Sequence, residues 1–308
     1  MNKTNSVVLR KNNMCAYIDL AHGANCTDFY DGKNNIHLLY SSDNRYLNGM
    51  PILFPANRIS GGRFTAGGYT YFLPVNEIKT GCALHGEMSN LPFAAVSQSE
   101  DEVLCRREFK GDYPGFPQHF CVEIVYKITD DSLIQTLRVS NYSEIPLPLM
   151  FGFHTTFAIP FCEGSSAEDI RIYADIDRVI ERGSDRLPTD VSIISDDFSK
   201  DLQKGEAMLP EKISIHYLAG SDGKMSLFDT RTGILAVYEL DGAFRYRMVF
   251  TANKEKYLCL EPQVCVTNAP NAPLDKKYTH IPLLSKGKTA EFKSKIFLSK
   301  AECNNFTR

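Results

Sequence analysis

Short alternation of apolar and polar positions runs along most of the chain. In 120–128, FCVEIVYKI, the residues Phe120, Val122, Ile124, Tyr126 and Ile128 share one face and Glu123 and Lys127 lie on the other, which is the period of a half-buried strand. The period recurs in Tyr246, Met248 and Phe250, with Arg245 and Arg247 on the reverse face, and in Phe292, Ile296 and Leu298. Further strands are expected at 14–20, 103–109, 132–140, 169–176, 224–229, 233–240 and 256–262, punctuated by turn pairs such as Asp31-Gly32, Asp222-Gly223 and Asp241-Gly242. No long stretch repeats apolar positions at helical spacing between caps, so helices should be few and short. The pattern predicts an all-β chain folded as a large antiparallel β-sandwich. Residues 1–308 read as one domain, because no Pro/Ser-rich linker or shift of composition divides them.

Two stretches interrupt the alternation. Residues 50–93 crowd glycine and proline around isolated polar residues and read as turns and short strands. Residues 261–273, EPQVCVTNAPNAP, follow the apolar run Tyr257-Leu258-Cys259-Leu260. A carboxylate placed there is held by a buried strand while facing a cleft lined by loops.

Composition narrows the function classes. Apolar residues make up 43% and charged residues 23%, a balance that can build a core rather than remain disordered. The 34 Lys plus Arg against 37 Asp plus Glu, without a long basic run, speak against a nucleic-acid or anionic-membrane partner. The longest apolar run, Ile145 to Phe153, is broken by Pro146 and Pro148 and is too short to span a bilayer. The first thirty residues show no export signal, and the nine cysteines form no C-x-x-C pair. A cytoplasmic protein without a disulfide framework or zinc ribbon is expected.

The chemistry-bearing residues are scattered. There is no G-x-S-x-G elbow, no G-x-G-x-x-G and no P-loop, and His85-Gly86-Glu87 lacks the P-C-x-x-C that would complete a deaminase zinc site. His154 follows the apolar LPLMFGF and Glu261 ends its own apolar strand. The two could act as an acid/base pair needing no cofactor. With His85 they also make the two-imidazole, one-carboxylate set of many non-haem iron sites, and spacing alone leaves both readings open.

Three ordered motifs carry a resemblance. Asn57-Arg58-Ile59, Gly62-x-Phe64, Gly68-Tyr69, Leu73, Asn76 and Leu84-His85-Gly86 form the first, Phe151-Gly152-Phe153-His154-Thr155-Thr156-Phe157 the second, and Leu260-Glu261-Pro262-Gln263 with Asn268-Ala269-Pro270-Asn271 the third. In order and approximate spacing they resemble the aldose 1-epimerases, the galactose mutarotases. The resemblance implies a β-supersandwich whose site uses neither metal nor cofactor and interconverts the α and β anomers of a free hexose. By the same resemblance Glu261 is the general base at the anomeric hydroxyl and His154, as imidazolium, the acid at the ring oxygen. It also implies that Arg58 and His85 hold the monosaccharide, with Asn57 as a further contact. Such a charged pair would raise the histidine's pKa and lower the glutamate's. No feature specifies an oligomeric state.

The chain departs from that pattern in two places. Thr155-Thr156 stand where galactose mutarotases have Pro-Tyr, and the later substrate-binding acid has no clear counterpart, Ile213–Tyr217 with His216 occupying its place. The substrate could therefore be a hexose 6-phosphate, with Arg58, Arg63, Arg245 and Arg247 as the available cations, or the cleft could bind sugar without turnover. The chain has no Trp, so a sugar face would have to stack on Phe or Tyr, with Phe64, Tyr69, Phe157 and Phe244 the candidates by motif proximity. Substrate choice is expected in loops such as 181–210.

Overall fold

The structure, a computed structural model, describes residues 5–300. Cys303 lies outside them, and the eight described cysteines are all free and buried. The alternating segments become a nine-stranded antiparallel sheet in the order 94–98, 102–110, 119–128, 132–141, 289–300, 234–240, 224–229, 170–174 and 207–208. Its register follows from burial. Leu137 sits opposite Ile124 on one side and Phe292 on the other, so the apolar face of each strand lands on that of its neighbours.

An eight-stranded sheet faces it, running 188–193, 176–182, 213–219, 246–251, 257–263, 152–153 and 52–53, with 155–158 also pairing along 257–263. The interior between the sheets is crossed by specific contacts. Thr155 Oγ1 and the Tyr238 hydroxyl share a hydrogen bond of 2.9 Å, and Phe244 packs on Phe292 at 5.9 Å between ring centroids. A four-stranded sheet of 6–11, 14–19, 25–31 and 36–37 adds to the same core through Leu9, Ile18 and Phe29.

Two local expectations change. The segment 169–176 is two strands, not one: Ile170–Ala174 belongs to the nine-stranded sheet and Ile176–Arg182 to the eight-stranded one. The chain crosses between sheets at Asp175, whose carboxylate accepts from the amides of Asp222 (2.7 Å) and Gly223 (2.8 Å) and so anchors the crossing. Arg247, expected on a polar reverse face, is 1% exposed. It shares its side of the strand with Val249, in the core, while Met248 and Phe250 turn to a cavity on the opposite side. Its guanidinium donates to the carbonyls of Phe244 and Tyr246. A strand buried on both faces does not reveal its orientation through polarity alone.

Helices are short, as the pattern predicts. Asp197–Lys204 is capped by the Asp196 carboxylate, which accepts from the Ser199 amide at 2.8 Å, and it stops at Gly205 in the left-handed region. Lys276–Thr279 is the other α-helix among the described residues. No helix among the described residues is long and apolar enough to cross a membrane.

Candidate active site

The cavity lies against the eight-stranded sheet, has a volume of about 330 Å³, and is within the range of small-molecule sites. Its wall includes Asn57, Arg58, His85, His154 and Glu261, so the tertiary fold gathers all five candidates, more than 200 positions apart at the extremes, around one space. Each arrives by a different route. Glu261 is carried by strand Tyr257–Gln263, and His154 lies between the short strands 152–153 and 155–158, both paired to that same strand. The result places His154 Nε2 3.3 Å from Glu261 Oε1, with side chains only 6% and 3% exposed.

The stretch 50–93 forms the strands 52–53, 58–60, 63–66, 69–72 and 82–84, and two of them build the opposite wall. Arg58–Ser60 pairs with Cys82–Leu84. Asn76 clamps the second through its side chain, donating to the Leu84 carbonyl (3.0 Å) and accepting from the Leu84 amide (2.7 Å). Asn268 ties the first to the glutamate segment, its Oδ1 accepting from the Ser60 amide at 3.0 Å and its amide donating to the Arg58 carbonyl at 2.9 Å. Motif residues that never line the cavity thus hold the residues that do.

Asn57 and His85 both take positive φ, 61° and 63°, and are locked together. The His85 amide donates to the Asn57 carbonyl (2.9 Å) and the Asn57 amide donates to His85 Nδ1 (3.3 Å). His85 is held well below its usual pKa, first by burial, then by the charges of His154, Arg58 and Arg45. A neutral ring that accepts at Nδ1 carries its hydrogen on Nε2. His85 therefore offers the cavity a donor rather than a lone pair, which disfavours the iron-ligand reading of His85, His154 and Glu261. Among the described residues no group of three His, Cys, Asp or Glu is arranged to hold a metal ion.

Burial, not pairing, sets the charge state of the central pair. Desolvation lowers His154 to about 4 and raises Glu261 to about 8, the latter opposed by the Gln263 side chain and by Arg182 and Arg58. The expected mutual stabilisation of imidazolium and carboxylate is outweighed, because taking both groups out of water penalises both charges. One proton is shared between them across neutral pH. Gln263 Nε2 donates to Glu261 Oε2 at 3.2 Å, and its Oε1 accepts from Asn57 Nδ2 at 3.5 Å. The orienting role of Gln263 was not anticipated, although it stands two residues beyond the glutamate on the same strand face.

Arg58 has both a carboxylate partner and a face on the cavity. Its Nε and Nη2 donate to the two oxygens of Glu77, each at 2.6 Å, and its side chain lines the cavity. Arg63, Arg245 and Arg247 are elsewhere. Arg63 lies over Phe72 in an exposed hairpin, Arg245 donates to the Lys277 carbonyl, and Arg247 is inside the sandwich. The proposed aromatic platforms are also displaced: Phe64 stacks on Tyr71, Phe157 packs on Tyr238, Phe244 on Phe153, and Tyr69 meets Tyr71. The aromatic wall is made instead by Tyr46, Phe250 and Tyr257, with Tyr46 4.8 Å from His85 and 6.4 Å from His154 between ring centroids. No motif marked Tyr46, which stands in a polar loop.

The departures find physical places. Thr155 and Thr156 are fully buried, bonded to Tyr238 and to the His154 carbonyl, and stay out of the cavity. His216 is buried with Nδ1 against Thr267 Oγ1, whereas Ser214, two residues earlier, reaches the cavity. Of the segment 181–210, Arg182 lines the cavity and donates to the carbonyl and hydroxyl of Ser214.

The aldose 1-epimerase family profile matches residues 5–296. In sequence, 110 residues are 33% identical to the uncharacterized protein YphB of Escherichia coli, a stretch that is 35% of this chain and 36% of that protein. Among solved structures, a galactose mutarotase-like protein from Clostridium acetobutylicum superposes with a TM-score of 0.87 at 24% identity over 96% of this chain and 95% of that one. An aldose epimerase homologue from C. elegans superposes with a TM-score of 0.77 at 14% identity over 97% and 100%. These likenesses below a quarter identity establish the shared fold, and the family profile across nearly the whole length establishes the kinship. The chain belongs to the aldose 1-epimerase family.

Proposed function

We propose that the protein is a cofactor-independent isomerase that interconverts the α and β anomers of a reducing hexose by opening and reclosing the ring. The observation that carries this reading is the buried His154–Glu261 pair, 3.3 Å apart on the wall of a sugar-sized cavity. The anomeric hydroxyl oxygen and the ring oxygen are bonded to the same carbon, so the groups serving them must lie side by side. Glu261 as carboxylate removes the proton from the anomeric hydroxyl while His154 as imidazolium delivers one to the ring oxygen. The bond from C1 to the ring oxygen breaks and an open-chain aldehyde forms. Rotation about C1–C2 presents its other face, and the transfers run backward to close the opposite anomer.

The electrostatics suit this cycle. Transfer through the sugar converts carboxylate and imidazolium into carboxylic acid and imidazole, the neutral arrangement that burial favours. The step away from the charged pair is thereby eased, and the cationic Arg58 and Arg182 near Glu261 offset part of that bias so that the pair can recharge. His85 donates from Nε2 and Arg58 from its free edge to sugar oxygens, while Tyr46 offers a ring face.

Exchange between anomers, followed by polarimetry or NMR, tests the reading. Acceleration above the spontaneous rate is expected for the native protein. Glu261→Gln and His154→Asn should each lose about 10²–10⁴-fold, the usual contribution of one general acid or base. Undiminished rates in both variants would reject the assignment.

A further inference from the structure

Beyond its charge near Glu261, Arg182 offers the cavity donors that the acid/base cycle leaves free. Arg182 projects from the end of strand Ile176–Arg182 into the wall, where its Nη2 donates to the Ser214 carbonyl and, at 3.1 Å, to the Ser214 hydroxyl. Its Nε and Nη1 meet no acceptor among the described residues, and it forms no ion pair there. Arg58 is different, since Glu77 occupies two of its donors. Arg45 reaches Glu87 at 3.5 Å. Glu261 is engaged by His154 and Gln263 rather than by Arg182.

The surroundings concentrate positive charge. Burial disfavours the charge of Arg182 most, nearby Arg186 and Arg58 add to that, and Arg186 also acts on Glu77. Near neutral pH Glu261 is held protonated by burial, which leaves Glu77 as the carboxylate balancing this group of guanidiniums. A half-buried cation without a counter-ion is costly to maintain, and a ligand that brings the counter-ion recovers the cost on binding.

We propose that the hexose taken by this site carries an anionic substituent, held by the free edge of Arg182 with Arg58 alongside. This rests on the epimerase reading above and deepens it by naming the substrate class: acidic aldoses, whether the anion is the carboxylate of a uronic acid or the phosphate of a sugar phosphate. The mutarotase motifs do not contain Arg182. It donates to Ser214, within the segment Ile213–Tyr217 that stands in the place of the missing acidic residue, and so brings a cation beside that place.

Matched panels test the proposal: glucose, glucuronate and glucose 6-phosphate, and the galactose counterparts, compared by NMR anomer exchange. The native protein should turn over at least one anionic member about 10- to 100-fold more efficiently than its neutral parent, the reach of a charge-assisted hydrogen bond. The carboxylate and phosphate arms identify the source of the anion. Arg182→Gln should bring that ratio toward one and Arg182→Lys should restore part of it. A ratio taken on one preparation does not depend on how much of a variant is folded. A native ratio near one, or a ratio unmoved by Arg182→Gln, overturns the proposal while the epimerase reading stands. If no sugar is turned over, calorimetry with the same panel decides. Arg182-dependent binding of the anionic sugars upholds the proposal and removes the epimerase reading, and equal or absent binding overturns the proposal as well.

Discussion

His154 and Glu261 hold one proton between them over a window set by their burial. Below about 4 the imidazole takes a second proton, and above about 8 the carboxyl loses the last one, so either excursion removes the form that can open a ring. A bell-shaped kcat/KM profile with limbs near those values is expected, and a flat profile from pH 3 to 10 would contradict the paired assignment. Glu77 acts one residue further out. Its carboxyl is lowered chiefly by hydrogen bonds from Arg58, and it fixes the guanidinium that faces the cavity. Glu77→Gln should raise KM about 2- to 10-fold, the worth of a weakened hydrogen-bonded anchor, with kcat little changed, as steady-state kinetics would show. The pair itself was legible from the resemblance, because His154 and Glu261 each stand beside a recognisable apolar strand. Arg182 and Tyr46 were not, because neither lies in an alternating run or a motif.

At the scale of elements, the active wall depends on a few backbone positions with positive φ. Gly86 follows His85 at φ 60°, and a Cβ there would come within 1.8 Å of the Phe54 carbonyl oxygen. Gly86→Ala should destabilise the protein by about 2–4 kcal/mol in denaturant unfolding and misplace His85, lowering kcat/KM in the fraction that folds. An unchanged midpoint would show that the loop shifts freely. The glycine-rich stretch announced turns, and its short strands follow. Which of them would pair with which depended on Asn76 and Asn268, whose side chains bridge positions 8 and 208 residues apart. Strand 169–176 misled for a related reason. Apolar continuity does not mark a crossing between sheets when a single carboxylate, Asp175, satisfies the amides at the junction.

Across the whole molecule, the two sheets stabilise a site that only one of them supplies. Leu137 is fully buried at the centre of the nine-stranded sheet and lines no part of the cavity. Leu137→Ala should cost about 2–5 kcal/mol of stability while the pH profile and the kcat/KM of folded protein stay as in the native chain. A changed pH profile would show that the far sheet tunes the site directly. The period-two pattern determined most long strands and the all-β class by itself, because alternating side chains have only one way to bury their apolar face. What only the tertiary structure decided was orientation and meeting: that Arg247 turns inward, that Tyr46 rather than the motif aromatics faces the cavity, and that Arg182 joins Asn57, Arg58, His85, His154 and Glu261 around one space. Those outcomes depend on pairings between distant strands, and on the desolvation that such pairings impose, neither of which leaves a local periodicity in the chain.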